Sequence, residues 1–119
     1  MKNEKLIHDW MVSYLNDKLS RDYNDVKVNI EEKKNEYSGY YPDLILGNHG
    51  LVLALMEVET EGSITPEKAD EWKALSGLGA KLILMVPKTS KAKVVDLLWK
   101  KGMAGKVSVG SYEITVSMP

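Results

Sequence analysis

Cysteine is absent from the 119-residue sequence, so neither a disulfide framework nor a thiolate metal site can form. Phenylalanine is absent as well, and tyrosine and tryptophan supply all the aromatic side chains. No apolar run approaches the ~20 residues that a membrane-spanning helix needs. The first ten residues carry acidic side chains on both sides of a short apolar patch, which is not the pattern of a signal peptide. We therefore expect a cytoplasmic protein without a membrane partner.

A large net charge of either sign is also missing. The formal net charge is −1, which argues against a protein that coats nucleic acid by charge alone. The distribution is uneven, because residues 1–60 carry 7 Lys/Arg and 11 Asp/Glu whereas residues 61–119 carry 9 and 6. The length predicts a single domain over residues 1–119 with one hydrophobic core.

The first third of the chain predicts a helix, a strand and a loop. Residues 3–20 place apolar side chains on one broad helical face: Leu6, Ile7, Trp10, Met11, Tyr14 and Leu15. Residues 26–30 alternate between apolar and polar, which is typical of a half-buried strand. Residues 31–39 are charged and end in Ser-Gly, so we expect an exposed loop or an extension of the strand there.

Residues 41–61 predict a β-hairpin. Two apolar runs flank Asn48-His49-Gly50, where asparagine and glycine suit the positive φ angles of a tight turn. The second run, residues 51–56, contains no polar residue and is predicted to be a central strand buried on both faces. His49 is predicted to be an exposed turn residue.

The next segment predicts a helix followed by a strand. Thr65 and Pro66 are a typical helix start. The apolar face of this helix consists of Ala69, Trp72 and Leu75. Residues 82–86 predict a strand that runs parallel to residues 51–59, because a helix separates the two strands along the chain.

A third helix and the tail complete the predicted elements. Ser90 is predicted to cap the helix. The apolar residues expected to pack from it are Ala92, Val94, Val95, Leu97, Leu98 and Trp99. Alternation over residues 106–109 and 112–116 predicts one or two strands at an edge of the sheet.

Three carboxylates fall at the ends of the predicted hairpin strands, where burying charge is costly. Glu57 and Glu59 lie two residues apart, so both project to the same side of their strand. Asp43 opens the partner strand and can lie beside Glu57 across the hairpin. Clustered carboxylates need a cation to offset their charge, and hard oxygen ligands suit Mg²⁺ or Mn²⁺. The backbone carbonyl of Val58 would add a third oxygen donor.

Pro42-Asp43, thirteen further residues and then Glu57-Val58-Glu59 resemble the motif of the PD-(D/E)xK nuclease superfamily. The resemblance implies an α/β fold with a restriction-endonuclease-like αβββαβ core, in which helices flank a mixed central sheet. It also implies that Asp43 and Glu57 hold a Mg²⁺ or Mn²⁺ ion. The order of the predicted elements around the motif agrees with such a core over most of the chain.

Glu59 occupies the motif position where lysine is more common, so the resemblance is to the E-x-E form of the motif. Glu59 would act as a general base or recruit a second ion, and its replacement by lysine would restore the commoner motif. In some nucleases of this type a neighbouring helix supplies the lysine. Lys68 is the first candidate for that role and Lys73 the second, the alternative being that both are solvated helix residues.

Residues of the first helix and of the loop before Pro42 have alternative interpretations. Glu4 matches a further acidic ligand that some superfamily members direct at the metal from their first helix, or it complements the helix dipole. His8 is predicted to lie at the boundary of the core and not to bind metal. Tyr37, Tyr40 and Tyr41 either stack on bases or cover the end of the core.

The predicted function is a Mg²⁺- or Mn²⁺-dependent nuclease that hydrolyses phosphodiester bonds of nucleic acid, DNA in preference to RNA. The alternatives are a catalytically weak or inactive module of this fold, which binds nucleic acid or a protein partner, and an unrelated α/β domain. Small members of the superfamily often act as homodimers. The lysines of residues 88–101 either track a phosphate backbone or form a solvated face: Lys88, Lys91, Lys93, Lys100 and Lys101.

Overall fold

The computed structural model of the protein describes residues 2–115. The helices are α1 Lys2–Leu19, α2 Pro66–Ser76 and α3 Lys91–Lys100, and the strands are β1 Asp25–Val28, β2 Leu44–Asn48, β3 Leu51–Val58, β4 Lys81–Pro87 and β5 Ser108–Tyr112. The predicted succession of one helix, three strands, a helix and a strand is observed, and α3 and β5 follow it. No helix within the described range is long and apolar enough to cross a membrane.

The five strands form one mixed sheet in the order β1-β2-β3-β4-β5. The pairs β1–β2 and β2–β3 are antiparallel, whereas β3–β4 and β4–β5 are parallel. Parallel neighbours need a crossover connection, and α2 and α3 supply the two crossovers. The predicted parallel pairing of residues 82–86 with residues 51–59 is confirmed.

Helices cover both faces of the sheet, and each face has its own core. The core beneath α1 contains Met11, Val12, Leu15, Leu44, Leu46, Ala54, Met56 and Val58. Alternate residues of a strand point to opposite faces, so Ile45 and Leu55 enter the other core, where Trp72 of α2 packs with residues of α3 and β4. The α/β class and the mixed sheet flanked by helices are therefore as predicted.

A two-residue turn joins β2 to β3. His49 and Gly50 have φ angles of 53° and 80°, the pair of positive values that a type I′ hairpin turn needs. The prediction that asparagine would take a positive φ here is wrong. Asn48 instead ends β2, and its side-chain oxygen accepts a hydrogen bond from the backbone N–H of Asn24 at 2.8 Å. His49 is exposed, as predicted.

The hairpin contains a β-bulge, at which the pairing of β2 with β3 shifts by one residue. Gly47 pairs with Val52 but Leu46 pairs with Ala54, so Leu53 has no partner across the hairpin. A bulge of this kind adds one residue to one strand and changes which side chains meet beyond it.

The shift decides which residue faces Asp43. Without it, the pairing at the turn would continue to place Asp43 opposite Met56, whose side chain belongs to the core beneath α1. With it, Asp43 lies opposite Glu57 and on the same side of the sheet. The bulge needs glycine at position 47, because a Cβ there would lie 2.5 Å from the backbone oxygen of Leu51.

Two strand predictions differ from the structure. The first strand ends at Val28 and not at residue 30, because the side chain of Asn29 bonds the loop that follows. The tail forms one strand at the edge of the sheet, β5, which agrees with the predicted one or two, but its bounds differ from the predicted segments 106–109 and 112–116. Gly110 permits the close approach of this strand to β4, since a Cβ would lie 2.6 Å from Met85 Sδ. Residue 116 lies outside the described residues.

Several residues that the sequence predicted to be buried are exposed. They are Leu6, Trp10 and Tyr14 in α1, Ala92, Val95 and Trp99 in α3, and Leu51 and Leu53 in β3. The ring of Trp10 stacks on that of Tyr14, with centroids 5.6 Å apart. The apolar sectors of the helices are therefore broader than the surface that the sheet covers. Burial on both faces of β3 begins only at Ala54, beyond the bulge.

Candidate active site

A cleft of about 590 Å³ opens beside the ends of β2 and β3 that carry the acidic motif. Residues of α1, of α2 and of the loop 29–42 form its walls. The predicted site residues that line it are Glu4, Asp43, Glu57, Val58, Glu59 and Lys68. His8, Tyr40 and Tyr41 line it too. The structure therefore brings the predicted catalytic and metal-binding residues to one cleft.

Asp43 and Glu57 are held against each other by reciprocal hydrogen bonds. The backbone N–H of Asp43 donates to Glu57 Oε2 at 2.9 Å, and that of Val58 donates to Asp43 Oδ2 at 2.8 Å. Glu57 is 9% exposed and the side chain of Asp43 is 17% exposed. The pair is thus oriented by the backbone and reached from the cleft mainly through Asp43.

The electrostatic environment of Glu57 favours its neutral form. Burial raises the pKa of Glu57 well above its usual range, and the adjacent negative charge of Asp43 raises it further. The hydrogen bond from the backbone of Asp43 opposes this rise, and the more distant charge of Glu59 adds to it. A carboxyl group in this situation binds a proton or a cation more readily than an exposed one.

His8 of α1 contacts the same acidic pair, which the predicted boundary position did not suggest. Its Nε2 lies 3.0 Å from Asp43 Oδ2, and its Nδ1 lies 2.9 Å from Asp9 Oδ1. The hydrogen bond to Asp43 raises the pKa of His8 to about 9, against the opposing effect of burial. His8 therefore brings positive charge to Asp43. The available sequence signal for a position near the acidic pair was helical spacing. His8 follows Glu4 by four residues, so both side chains lie on the same face of α1.

Glu59 is enclosed in a hydrogen-bond network and is only 2% exposed. Its Oε1 accepts a hydrogen bond from Ser63 Oγ and its Oε2 one from Trp72 Nε1, both at 2.8 Å. Its backbone oxygen accepts one from the Tyr112 hydroxyl at 2.6 Å. Burial raises the pKa of Glu59, and the charge of Lys68 and the two side-chain donors oppose the rise. Glu59 thus links β3 to α2 and β5.

α2 places Lys68 on the wall of the cleft. Thr65 caps the helix, as predicted, by accepting a hydrogen bond from the backbone N–H of Lys68 at 3.1 Å. Burial lowers the pKa of Lys68, but the charges of Glu59 and Glu57 and a contact with Glu71 raise it by more. The ammonium group pairs with Glu71 Oε2 at 3.0 Å. Lys68 therefore adds positive charge close to the acidic cluster.

Glu4 reaches the turn after β3. Its Oε2 accepts a hydrogen bond from the backbone N–H of Gly62 at 2.9 Å, and its Oε1 one from Thr60 Oγ1 at 3.3 Å. These contacts tie α1 to the margin of the cleft. Neither the helix-dipole nor the metal-ligand interpretation of Glu4 includes these two contacts. Their partners, Thr60 and Gly62, lie far from Glu4 along the sequence and meet it only in the folded chain.

The lysines of residues 88–101 lie outside this cleft, as does Lys73. Three of them form ion pairs: Lys88–Glu113 at 3.5 Å, Lys100–Asp96 at 2.9 Å and Lys101–Asp70 at 2.9 Å. The lysines that do line the cleft are Lys5, Lys33 and Lys68. Lys5 and Lys33 were not predicted from the sequence, because α1 and the loop 29–42 meet the motif only in the folded chain.

The donor set at Asp43 and Glu57 fits a hard divalent cation in chemistry and in charge. Two juxtaposed carboxylates supply oxygen ligands, and a cation would relieve the repulsion that raises the pKa of Glu57. Across residues 2–115, no three acidic or histidine side chains converge closely enough to hold a metal ion by themselves. A cation would therefore take its remaining ligands from the backbone, such as the carbonyl of Val58, and from water or substrate.

Comparisons with protein-family models, with curated proteins and with solved structures found no match to this chain. Interpretation of the cleft therefore rests on its own residues. They define a site in which a buried carboxylate and a partly exposed one meet at adjacent strand ends, while a histidine and a lysine bring positive charge to the margins.

Proposed function

We propose that this protein is a Mg²⁺- or Mn²⁺-dependent nuclease that hydrolyses phosphodiester bonds of nucleic acid, in the first place DNA. The observation that carries the proposal is the juxtaposition of Asp43 and Glu57 in an open cleft. Such a pair is unfavourable for stability, and perturbed carboxylates in clefts are typical of functional sites. The order of elements around the pair supports membership of the PD-(D/E)xK superfamily with its αβββαβ core.

In this proposal Asp43 and Glu57 hold the cation. When bound, the ion supplies activation of water and neutralises charge on the phosphate. His8 Nε2 and the backbone N–H of Val58 both bind Asp43 Oδ2, so they fix the orientation of that carboxylate. Lys68 places a positive charge beside the carboxylates, where negative charge develops on a phosphate during attack.

Glu59 does not act as a general base in this proposal. Both of its carboxylate oxygens already accept hydrogen bonds, from Ser63 and Trp72, and the side chain is almost completely buried. Its part is to hold α2 against β3, which sets the position of Lys68. The acidic residue at the third motif position is then a structural partner of Trp72.

A non-catalytic module that binds nucleic acid or a protein partner is the second candidate. The observation that favours it is the contact between His8 and Asp43, which already balances part of the charge that a cation would neutralise. If the histidine were the permanent partner of Asp43, divalent ions would bind weakly and cleavage would be absent.

Cleavage assays separate the two candidates. The protein is incubated with single-stranded, duplex and branched DNA and with RNA, in EDTA, Mg²⁺ or Mn²⁺. We expect cleavage only with metal, and a loss of at least about 100-fold in Asp43→Asn and Glu57→Gln, since a metal ion supplies several kcal/mol of transition-state stabilisation. Asp96→Asn, on the exposed face of α3, is the matched control. Equal rates in Asp43→Asn and the parent would refute the assignment.

A further inference from the structure

The loop of residues 29–42, which forms one wall of the cleft, is held in shape by two asparagines. Asn29 is 4% exposed, and its Nδ2 donates to the backbone oxygens of Asn35 at 2.8 Å and of Pro42 at 2.7 Å. Its Oδ1 accepts a hydrogen bond from the backbone N–H of Asn35, whose own Nδ2 donates to the backbone oxygen of Val28. These hydrogen bonds connect the start of the loop to its middle and to its end.

The tip of the loop is a tight turn over residues 37–40. Tyr37 and Tyr40 exchange two backbone hydrogen bonds, at 2.8 and 3.0 Å. Ser38 and Gly39 between them have φ angles of 51° and 88°, as in a type I′ turn. Because both backbone hydrogen bonds are formed, the turn fixes the positions of the residues on either side of it.

Tyr40 and Tyr41 leave this turn and line the cleft together with Asp43 and Glu57. They are 40% and 41% exposed and belong to neither core, whereas Tyr37 packs against the core beneath α2 and α3. Of the two earlier interpretations, covering the core thus applies to Tyr37 alone. Two exposed rings beside the carboxylates are surfaces on which a base can stack.

Positive charge around the cleft is sparse. Of its three lysines, Lys5 pairs with Asp9 at 2.6 Å and Lys68 with Glu71 at 3.0 Å. Duplex binders usually neutralise many phosphates over a broad basic surface, and the lysines of α3 lie elsewhere. Affinity at this cleft must therefore come largely from stacking and not from charge.

Stacking selects for an unpaired base. In a duplex the faces of each base are covered by its neighbours, and extruding one costs a few kcal/mol, whereas a single strand offers its bases freely. Building on the proposed function, we infer that the cleft takes single-stranded nucleic acid, with bases stacked on Tyr40 and Tyr41 next to the carboxylates. These two tyrosines are then the residues that determine substrate class.

Fluorescence anisotropy with labelled dT₁₂, rU₁₂ and a 12-base-pair DNA duplex tests the inference, in EDTA so that nothing is cleaved. The single strands should bind at least about tenfold more tightly than the duplex. The double variant Tyr40→Ala/Tyr41→Ala should lose about 10- to 100-fold in affinity for them. Tyr40→Phe/Tyr41→Phe should stay within about threefold of the parent, because it keeps the rings. Tyr14→Ala, an exposed ring on α1, is the control.

The salt dependence gives a second measurement. Because the cleft has three lysines and two of them are ion-paired, log Kd for dT₁₂ should change with log salt by a slope of no more than about 2, and Lys33→Ala should lower that slope by about 0.7. Lys93→Ala, outside the cleft, should leave the slope unchanged. Preference for dT₁₂ over rU₁₂, or the reverse, identifies the sugar that the site favours and supports the inference in either case.

Several outcomes would overturn the inference. They are duplex binding as tight as single-strand binding, no binding of any nucleic acid, and equal affinity losses in the alanine and phenylalanine double variants. Metal-dependent cleavage of duplex at full rate by the alanine double variant would overturn the inference while leaving the proposed nuclease function intact. Tyrosine-dependent binding of single strands without any cleavage would support it and would count against the nuclease function alone.

Discussion

Replacing Glu57 by glutamine should stabilise the metal-free protein at neutral and alkaline pH and abolish its stabilisation by Mn²⁺. A glutamine oxygen can still accept the hydrogen bond that the backbone N–H of Asp43 donates to Glu57. Its amide NH₂ can in addition donate towards the Asp43 carboxylate. Glu57→Gln therefore resembles the protonated form of Glu57, which burial and the charge of Asp43 favour.

The sign and size of the effect follow from proton linkage. Because the pKa of Glu57 is raised in the folded protein, the folded state holds a proton that the unfolded state has released above its ordinary pKa of 4.5. Stability then falls as pH rises from that value, by at most about 1.4 kcal/mol per pH unit, until the folded-state pKa is passed. Glu57→Gln removes this loss, so it should be more stable than the parent at pH 8 and almost equal to it at pH 4, and the difference should widen by no more than about 1.4 kcal/mol per pH unit.

The assay is thermal unfolding of the parent, Glu57→Gln and Glu67→Gln at several pH values, with EDTA or Mn²⁺. One kcal/mol corresponds to about 3–6 °C in a domain of this size. Mn²⁺ at ten times its Kd should stabilise the parent by about 1.4 kcal/mol, and Glu57→Gln should not respond. Glu67 is exposed in the first turn of α2, so its variant should follow the parent.

The raised pKa of Glu59 contributes in the same direction, but it is common to all three proteins and cancels in their comparison. Lower stability of Glu57→Gln than of the parent at pH 8, together with a parent that ignores Mn²⁺, would refute the reasoning. Such a result would mean that the carboxylate of Glu57 is satisfied as it stands and that no cation is needed at the pair.

Three further predictions concern Glu59, His8 and the lysines of α3. Glu59→Lys, which the motif alone would favour, should lower the free energy of unfolding by about 3 kcal/mol or more, because it buries a positive charge against the Trp72 N–H donor. Denaturant unfolding measures this loss, and Glu59→Gln should show a far smaller one. The contact of His8 with Asp43 stabilises the parent by up to about 3 kcal/mol below pH 6.5, and this stability is lost as pH rises through the His8 pKa of about 9. His8→Ala should lack this contribution, so parallel curves of stability against pH for the parent and the variant would contradict the prediction. Lys91→Ala and Lys93→Ala together should leave nucleic-acid affinity and its salt dependence unchanged in titrations, whereas a lower slope would assign α3 to the interface.

The elements that the sequence predicted well are those with strong local signals. The Thr65 cap, the apolar runs of β3 and β4 and the turn at His49-Gly50 each depend on neighbours in the chain, and the structure shows all of them. The predicted cap by Ser90 is not formed, since Ser90 stands at the start of α3 but its side chain makes no capping hydrogen bond. The strand order follows from these elements, because a hairpin fixes one pairing and a crossover helix fixes the next.

The details that the sequence did not predict depend on contacts between distant segments. Helical periodicity showed that α1 has an apolar sector, but not that Met11 and Leu15 would meet the sheet while Trp10 and Tyr14 would face outwards. The contact of His8 with Asp43 joins residues 35 positions apart. The uniformly apolar run of β3 gave no alternation from which its register could be read.

The motif predicted that Asp43 and Glu57 would meet, but it explains only part of how they do so. The motif placed Asp43 and Glu57 at the ends of a hairpin, yet a regular hairpin would have turned them to opposite faces. The physical cause of their meeting is the extra residue in β3 and the glycine opposite it. Neither stands out in the sequence, because Gly47 and Leu53 lie within otherwise ordinary strand segments.

The bulge makes the site depend on the number of residues in β3 as well as on their identity. Leu53 is 41% exposed and belongs to neither core, so exchange for another side chain should be tolerated easily. Deletion of Leu53, in contrast, would shift every later residue of β3 by one position relative to its partners in β2. Glu57 would then turn away from Asp43 while the apolar residues around it exchanged faces. Among descendants of this sequence, position 53 should therefore vary freely in kind and never be lost.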